Sequence, residues 1–181
     1  MKALPPTATV RAIRRLRHAT TERFDSDAHD ALAGVERRWL LWLHDRALQD
    51  DVQVRRYLST AAPEMCDREL LRRRGERWYV VEHIEPPTIL ISTSAREHLR
   101  AVSNECRAIP SNSMYGIYLP DHVGAQSFTE WWNSPVGQLA VLSNARHYAN
   151  GLLKLEPSDV RAVNVPWDQI ERQIEADPSS L

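Results

Sequence analysis

Residues 88–119 read TILISTSAREHLRAVSNECRAIPSNSMYGIYL, a run with the composition of a β-sheet. Segments 88–91, 101–109 and 114–119 are short and rich in β-branched, apolar or aromatic side chains, as strands usually are. Residues 110–112, Pro-Ser-Asn, are a turn sequence. We therefore predict strands on both sides of this turn.

The residues that follow this run predict a helix and another extended segment. Ser127 and Glu130 have the spacing of a capping box, in which the two side chains satisfy free backbone N–H groups. The helix that it opens is expected to continue to residue 142. Residues 152–155 are expected to be extended, and Pro157 to begin a last pair of helical turns.

The first half of the chain predicts mainly helices. Residues 7–20 place apolar side chains three residues apart among basic ones, which predicts a short amphipathic helix. Residues 26–49 have an apolar stripe at helical spacing, and residues 52–58 predict a further short helix. Residues 78–81, Trp-Tyr-Val-Val, predict a strand.

This order predicts an α+β fold, with N-terminal helices followed by a small mixed sheet and a helix packed on it. We expect three parts along the chain. Residues 1–25 are predicted to form a basic helical extension, residues 26–166 the main domain, and residues 167–181 a helical tail.

Composition is that of a globular chain. With 181 residues, 43% hydrophobic and 26% charged, it is expected to fold without a disulfide or a metal. No apolar stretch approaches the ~18 residues of a membrane span, and no apolar core of a secretory signal follows the basic N-terminus. We expect a cytoplasmic protein with no membrane contact.

Cys66 and Cys106 stand alone in the sequence and are expected to be small buried hydrophobic residues. The histidines are scattered, so the sequence predicts no metal site.

Basic residues are unevenly distributed although the formal net charge is only -1. Residues 1–80 carry 16 Lys or Arg against 12 Asp or Glu, and the first twenty residues carry no acid. A second basic cluster, residues 72–77, reads Arg-Arg-Arg-Gly-Glu-Arg. Guanidinium groups suit phosphate and guanine edges, because their planar donors bond bidentately. The alternative is that these arginines are solvated helix faces of a protein from an arginine-biased genome.

Several kinds of catalytic site are not supported by the sequence. A nucleotide or S-adenosylmethionine cradle needs close glycines, whereas the six glycines here include no Gly-x-Gly. Neither of the two Pro-Pro pairs has the polar head and aromatic residue that hold an exocyclic amine. Neither Lys2 nor Lys154 lies in the Glu-x-Lys context of a restriction-type nuclease, and there is no Gly-x-Ser-x-Gly elbow. We therefore expect no catalysis by this chain alone.

A segment near the C-terminal end is recognisable. Residues 151–160 read GLLKLEPSDV and are followed by Val165-Pro166. This resembles the end of the target-recognition region in N6-adenine DNA methyltransferases of bacterial restriction–modification systems. In that family a Gly-rich turn, a Leu-Leu-Lys-Leu-x-Pro segment and a closing apolar-Pro recur. The family's paired glycine is Asn150 here, and Asn also tolerates a positive φ.

Further resemblances occur upstream in the family's order. They are Arg77-Trp78-Tyr79, the segment Arg100 to Asn104, the segment Asn112 to Ile117, and the helix from Ser127 to Arg146 followed by Tyr148-Ala149-Asn150-Gly151. The resemblance covers residues 35–166 and does not include the family's catalytic domain. It implies a specificity module that binds double-stranded DNA and acts with a catalytic methyltransferase domain or subunit. S-adenosylmethionine would bind that partner, so no cofactor is expected in this chain.

Such a module needs polar side chains on loops above a stiff sheet. The candidates for contact with DNA are Arg73, Arg74, Arg77, Asn104, Arg107, Asn112 and Lys154. Three of them have alternatives. Arg77 could instead pair with Glu76 or Glu82, Asn112 could form the turn, and Lys154 could contact phosphate or pair with Glu156.

Two other functions remain open at this level. The chain could be the remnant of a truncated methyltransferase gene, folded in part and without function. It could also be an independent regulator that uses residues 7–58 as a helical DNA-binding unit, with the sheet as a ligand or dimer module. An intact neighbouring gene with cofactor and Asn-Pro-Pro-Tyr motifs would favour the recognition module over the remnant.

Overall fold

The computed structural model describes residues 4–35, 37–66 and 68–170. The chain divides into two compact units: unit 1 comprises Met1–Ala12 and Trp39–Glu85, and unit 2 comprises Ile13–Arg38 and Pro86–Leu181. The helices are α1 (Ser26–Asp30), α2 (Arg46–Asp50), α3 (Val52–Cys66), α4 (Glu69–Arg72), α5 (Ala125–Asn133), α6 (Pro135–Leu142) and α7 (Pro157–Arg161). The strands are β1 (Thr9–Ile13), β2 (Trp39–Leu41), β3 (Ile89–Ser92), β4 (Ser94–Ala95), β5 (Ala101–Ser103), β6 (Ile109–Pro110), β7 (Met114–Ile117), β8 (Arg146–His147) and β9 (Leu153–Lys154).

The α+β class is confirmed by this mixture of helices and small sheets. The division into residues 1–25, 26–166 and 167–181 stays a prediction, and residues 171–181 lie outside the described part of the chain.

Unit 1 contains a two-stranded pairing and three consecutive helices. β1 and β2 are antiparallel, with Val10 opposite Leu40. Helices α2, α3 and α4 follow β2 along the chain. The core of this unit is small and is formed by Ala8, Leu43, Val54 and Leu58.

Unit 2 is built around β3, which pairs antiparallel with β5 on one side and with β7 on the other. Because side chains alternate along a strand, Ile89 and Ile91 face one side of the sheet and Leu90 faces the other. All three are fully buried. β3 is therefore covered on both faces, which explains its continuous apolar sequence.

Different elements cover the two faces. Ile89 and Ile91 share a core with Phe128 and Trp132 of α5 and Val141 of α6. The indole N–H of Trp132 donates to the carbonyl of Leu99, with 2.6 Å between the two heavy atoms. This bond and the shared core hold α5 against the sheet, which agrees with the prediction of a helix packed on the sheet.

Leu90 belongs to a second core on the opposite face of the sheet. There it packs with Val102 and Met114 of the neighbouring strands and with Leu16 and Phe24 of the preceding segment. Cys106 is buried in the same core, which confirms the expectation for that cysteine.

A second small sheet of unit 2 has the order β4-β9-β8. Its central strand β9 confirms the extended segment predicted for residues 152–155, and α7 begins at Pro157 as predicted. An isolated parallel bridge joins Arg23 to Ser103, whereas the strand pairs of both unit 2 sheets are antiparallel.

The helices predicted for residues 7–20 and 26–49 are wrong. The first range contains β1 and a 3₁₀ turn at Leu16–His18. The second contains only the short helices α1 and α2, with β2 between them. Strand pairing between β1 and β2 overrides the local helical spacing, and Gly34 takes a positive φ of 76° after α1. Residues 7–58 therefore do not form the helical DNA-binding unit of the regulator hypothesis.

Three smaller predictions also need correction. Residues 78–81 follow a 3₁₀ turn at Gly75–Arg77 and form no strand. The segment 101–109 holds two strands, β5 and β6, separated by a loop. Helix α5 begins at Ala125, so Ser127 does not cap it, and the Glu130 carboxylate accepts a hydrogen bond from the Gln126 amide.

Within the described residues, every helix is too short or too polar to cross a lipid bilayer.

Candidate nucleic-acid interface

The segment that precedes α1 presents two arginines on the surface of unit 2. Arg15 is extended and lies directly before the 3₁₀ turn that holds Arg17. Leu16, between them, is buried in the core against Leu90. Because Leu16 points inward, the side chains of Arg15 and Arg17 are left exposed.

This segment is attached to the turn that follows β6. The hydroxyl groups of Ser111 and Ser113 both donate to the carbonyl oxygen of Arg14, at 2.7 and 2.6 Å. The backbone N–H of Ser111 also donates to the carbonyl of Ile13. The arginines are therefore held beside Ser113 although almost one hundred residues separate them in sequence.

The end of the central sheet supplies a third arginine. Arg100 precedes β5, and its carbonyl accepts a hydrogen bond from the N–H of Ser92 at the end of β3. Its guanidinium donates from Nη2 to the carbonyls of Ala19 and Thr21, at 3.2 and 3.0 Å. These two bonds fix the guanidinium between the sheet and the preceding segment.

These groups surround a cavity of about 410 Å³ within unit 2. The three arginines and the side chains of Ser92, Ser94 and Ser113 form its polar lining, and Leu16 and Ala95 form its apolar part. The lining contains three cations and no carboxylate. We name it the arginine–serine pocket.

A row of residues continues from the pocket across the second sheet. Lys154 lies directly opposite Ser94, and Arg146 lies opposite Lys154 on the next strand. Each cation is paired with an acid at the start of α7. Lys154 Nζ is 2.7 Å from Glu156, and Arg146 Nε is 3.1 Å from Asp159. The charge of this row is therefore balanced, unlike that of the pocket.

These contacts shift the pKa values of Lys154, Arg146 and Asp159. The hydrogen bond and the charge of Glu156 raise the pKa of Lys154. The Asp159 carboxylate accepts a hydrogen bond from the backbone N–H of Glu156 at 2.8 Å and another from Arg146, and these contacts lower its pKa. The pairing of Lys154 with Glu156 is one of the two roles that the sequence left open for this lysine.

Asn104 is a structural residue of the loop between β5 and β6. Its side chain is buried, and Nδ2 donates to the carbonyls of Pro87 and Ala108 at 2.8 and 2.9 Å. Its Oδ1 accepts from the N–H of Ala108 at 2.9 Å. Because both the Nδ2 and the Oδ1 of this amide are hydrogen-bonded within the fold, we do not propose Asn104 as a DNA contact.

Arg107 and Asn112 lie on exposed turns of unit 2. Arg107 has a positive φ of 56°, and its side chain is exposed in the loop that Asn104 closes. Asn112 is exposed between Ser111 and Ser113, whose hydroxyl groups provide the side-chain hydrogen bonds of that turn. Asn112 and Lys154 are thus adjacent to pocket residues, in sequence and across strands respectively.

The three remaining candidates belong to unit 1. The Arg73 guanidinium pairs with the Glu69 carboxylate one turn earlier, and both groups are well exposed. Arg74 Nη1 donates to the carbonyl of Val80 at 3.3 Å. Arg77 is exposed at the end of the 3₁₀ turn. We name these three residues the unit 1 arginine cluster.

An aromatic group with two histidines lies near that cluster. The ring of His44 is 4.4 Å from that of Trp42 and 4.9 Å from that of His83, measured between centroids. Burial, and then the positive charges of His83 and Arg77, lower the pKa of His44. The neutral imidazole is thus favoured beside Arg77.

A sequence model of the C-terminal domain of the Type II methyltransferase M.Eco57I matches residues 3–179. The match covers almost all of the chain, including every residue of the arginine–serine pocket. The chain belongs to this family. It is a methyltransferase C-terminal region, which confirms the coarser part of the resemblance seen in the sequence.

A curated relative agrees with this membership. The Type II methyltransferase M.XamI of Xanthomonas campestris pv. amaranthicola is 25% identical over 127 residues. The aligned part is 68% of this chain and 23% of M.XamI. The chain therefore spans about a quarter of the length of this relative. The match does not extend to the rest of M.XamI, so it does not assign the activity of the whole methyltransferase to this chain.

Most of the pocket was missed by sequence reasoning. In the sequence, Arg15 and Arg17 are part of a basic N-terminus, and Arg100 and the serines are not among the residues that it indicates for DNA contact. The sequence contains one local signal of the pocket, because Arg15-Leu16-Arg17 places one cation on each side of an apolar residue. Nothing in the sequence brings Arg100 to them. In the described part of the chain, no three His, Cys, Asp or Glu side chains are grouped as metal ligands.

Proposed function

We propose that this chain is the DNA target-recognition part of an N6-adenine DNA methyltransferase of a restriction–modification system. Chemistry and S-adenosylmethionine binding belong to a catalytic domain or subunit, and this chain by itself transfers no methyl group. The observation that carries the proposal is the family match over residues 3–179. Adenine as the target rests on the resemblance of residues 151–166.

The proposal agrees with what methylation of a base requires. The exocyclic amine of adenine is stacked and paired inside the duplex, so the enzyme must turn the base out before methyl transfer. While the base is out, other protein groups must hold the duplex and read its sequence. A region with a rigid sheet and polar side chains on exposed turns is suited to that task.

The described side chains fall into two groups of potential contacts. Arg107 and Asn112 lie on exposed turns of unit 2, from which a long side chain can reach a base edge. A good bidentate contact to a base is worth roughly 1–3 kcal/mol of discrimination. The unit 1 arginine cluster is exposed and has the chemistry for phosphate or guanine.

The first experiment measures methyl transfer. Labelled S-adenosylmethionine and DNA are incubated with the chain alone, with the catalytic part alone, and with both together. We expect site-selective adenine methylation only when both are present, because recognition and chemistry are on different parts. Clear turnover by the chain alone would contradict this division.

The second experiment replaces the unit 1 arginine cluster. Arg73→Ala/Arg74→Ala/Arg77→Ala should weaken DNA binding and reduce its dependence on salt, because fewer counterions are released. Arg55→Ala/Arg56→Ala/Arg68→Ala removes the same charge from exposed positions of the same unit and serves as the control. Equal effects of the two triple variants would show that only net charge matters and that the cluster makes no contact.

A further inference from the structure

We propose that the arginine–serine pocket binds one phosphodiester group of the DNA backbone. The inference rests on the proposed function, and it assigns to this pocket a positioning contact that is independent of base sequence. The contributing groups are the guanidiniums of Arg15, Arg17 and Arg100 and the hydroxyls of Ser92 and Ser94.

The pocket carries positive charge that no acid in its lining balances. Three other cations of unit 2 are neutralised by acids: Arg23 forms a bidentate pair with Glu105, Lys154 pairs with Glu156, and Arg146 pairs with Asp159. Within residues 4–35, 37–66 and 68–170, no carboxylate is paired with Arg15 or Arg17. Three guanidiniums around one cavity without a counter-ion repel one another, and an anion would relieve that repulsion.

The groups that line the pocket are partly preorganised. Arg100 is fixed by the carbonyls of Ala19 and Thr21, which engage Nη2 and leave the donors of Nη1 and Nε for a ligand. The buried Leu16 fixes the backbone segment that carries Arg15 and Arg17. The donors are thus partly ordered before a ligand arrives, which lowers the entropic cost of binding.

The pocket also offers two hydroxyl donors. The hydroxyl groups of Ser92 and Ser94 make no hydrogen bond within the described part of the chain, whereas the Ser113 hydroxyl already donates to the Arg14 carbonyl. Arginine forks with added hydroxyl donors match the oxygen atoms of a phosphate. Both serines line the cavity, Ser92 at the end of β3 and Ser94 at the start of β4.

The chemistry of the lining suits a phosphate better than a base. The lining has no aromatic ring on which a base could stack, and no Asn or Gln amide that could pair with an adenine edge. Arginine does read guanine, but a neutral base edge would not balance three clustered cations. A phosphodiester carries one full negative charge and fits a cavity of this size.

The test uses the full chain and two duplexes, one with the target site and one without it. Arg15→Ala/Arg17→Ala should lower the affinity for both duplexes by the same factor, roughly ten-fold or more for lost bonds to a charged group. The slope of log affinity against log salt should decrease by about 0.9, the value for one phosphate. Arg55→Ala/Arg56→Ala is the control for the loss of two exposed charges, and equal thermal midpoints would show that both variants fold.

A loss confined to the target duplex would show that the pocket reads bases and would overturn the proposal, as would unchanged affinity for both duplexes. Arg100→Lys keeps the charge but loses the fork, and we expect it to weaken binding to both duplexes as well.

A titration with inorganic phosphate, followed by the NMR shifts of the Ser92 and Ser94 amides, separates this inference from the proposed function. If phosphate shifts these amides in the unmodified chain but not in Arg15→Ala/Arg17→Ala, and neither duplex binds, the pocket binds free phosphate but not the DNA backbone, and the proposed function fails together with the DNA contact. If the target duplex is preferred but the double variant binds as tightly as the unmodified chain, the proposed function stands and the pocket assignment fails.

Discussion

At the scale of single residues, substitution of Asn104 distinguishes a structural role from a role in DNA recognition. Asn104→Ala removes two donors and one acceptor from buried partners at Pro87 and Ala108. Because those backbone groups would be left without partners, we expect the free energy of unfolding to decrease by about 2 kcal/mol or more. Urea denaturation measures this loss. The exposed Asn112→Ala is the control, with an expected change within about 0.5 kcal/mol.

The opposite pattern would restore Asn104 as a DNA contact. In that case Asn104→Ala would keep its stability while the preference for the target duplex decreased.

The turn before β9 depends on two residues with left-handed backbone. Asn150 has φ 63° and ψ 26°, and Gly151 has φ 70°. Asn is among the few non-glycine residues that adopt this conformation readily. This confirms the expectation that Asn150 tolerates a positive φ in this turn. A residue type that is selected for its backbone conformation can be recognised from sequence alone.

Substitution at Asn150 tests that role. Asn150→Val should lower the free energy of unfolding by about 1–2 kcal/mol, because a β-branched side chain strains the left-handed conformation. Asn150→Gly is the matched control and should leave stability almost unchanged. If both variants unfold at the same urea concentration, the left-handed turn does not contribute to stability.

At the scale of elements, Gly137 controls how α6 follows α5. A Cβ atom at this position would lie 1.9 Å from the carbonyl oxygen of Trp131. Ser134 caps α6 at the same junction, because its hydroxyl accepts from the N–H of Gly137 and donates to the Trp131 carbonyl. The two helices can therefore meet closely only if residue 137 lacks a side chain.

Gly137→Ala is expected to lower the free energy of unfolding by about 2–3 kcal/mol through overpacking. For a chain of this length that corresponds to a decrease of roughly 5 °C or more in the thermal midpoint. The neighbouring Val136 is 71% exposed, so Val136→Ala should change the midpoint little. An unchanged thermal midpoint for Gly137→Ala would mean that α5 and α6 can move apart without a loss of stability.

The capping box of α7 predicts a pH effect. The contacts of Asp159 with the N–H of Glu156 and with Arg146 lower its pKa in the folded chain. Folding is therefore favoured while the unfolded carboxyl is ionised, above its ordinary pKa of about 4, and this stabilisation is lost as pH falls through the lower folded pKa. Asp159→Asn should reduce the loss of stability between pH 6 and pH 3, measured by urea unfolding. The exposed Asp50→Asn should follow the unmodified chain.

Elements with strong local signals could be predicted from sequence. The apolar run of β3 and the Pro157 start of α7 are examples, because burial on two faces and a proline at the first helical turn both leave a local pattern. β1 could not be recognised, since its pairing with Trp39–Leu41 is a long-range contact that overrides a helix-like spacing. The single helix predicted to continue to residue 142 is divided into α5 and α6 at Ser134-Pro135, although a serine before a proline is a common helix start.

At the scale of the whole molecule, the candidate sites differ in how far sequence could reveal them. The unit 1 arginine cluster is contiguous, so composition alone points to it. The arginine–serine pocket combines Arg15, Ser92, Arg100 and Ser113, which come together only when the sheet forms and the Ser111–Ser113 turn bonds to Arg14. Sites built by tertiary contacts leave no short motif.

Under the proposed function, the low net charge makes the affinity for DNA depend on a few local contacts. A formal charge of -1 provides little long-range attraction for a polyanion, so each phosphate contact should account for a large share of the affinity. We therefore expect the combined Arg15→Ala/Arg17→Ala and Arg73→Ala/Arg74→Ala/Arg77→Ala variant to show additive losses. Its decrease in salt slope should equal the sum of the decreases of the two separate variants, because independent sites contribute separately. Fluorescence anisotropy with one duplex at four salt concentrations measures this. If the combined variant is no weaker than one of its parents, unit 1 and unit 2 do not both contact the same bound duplex.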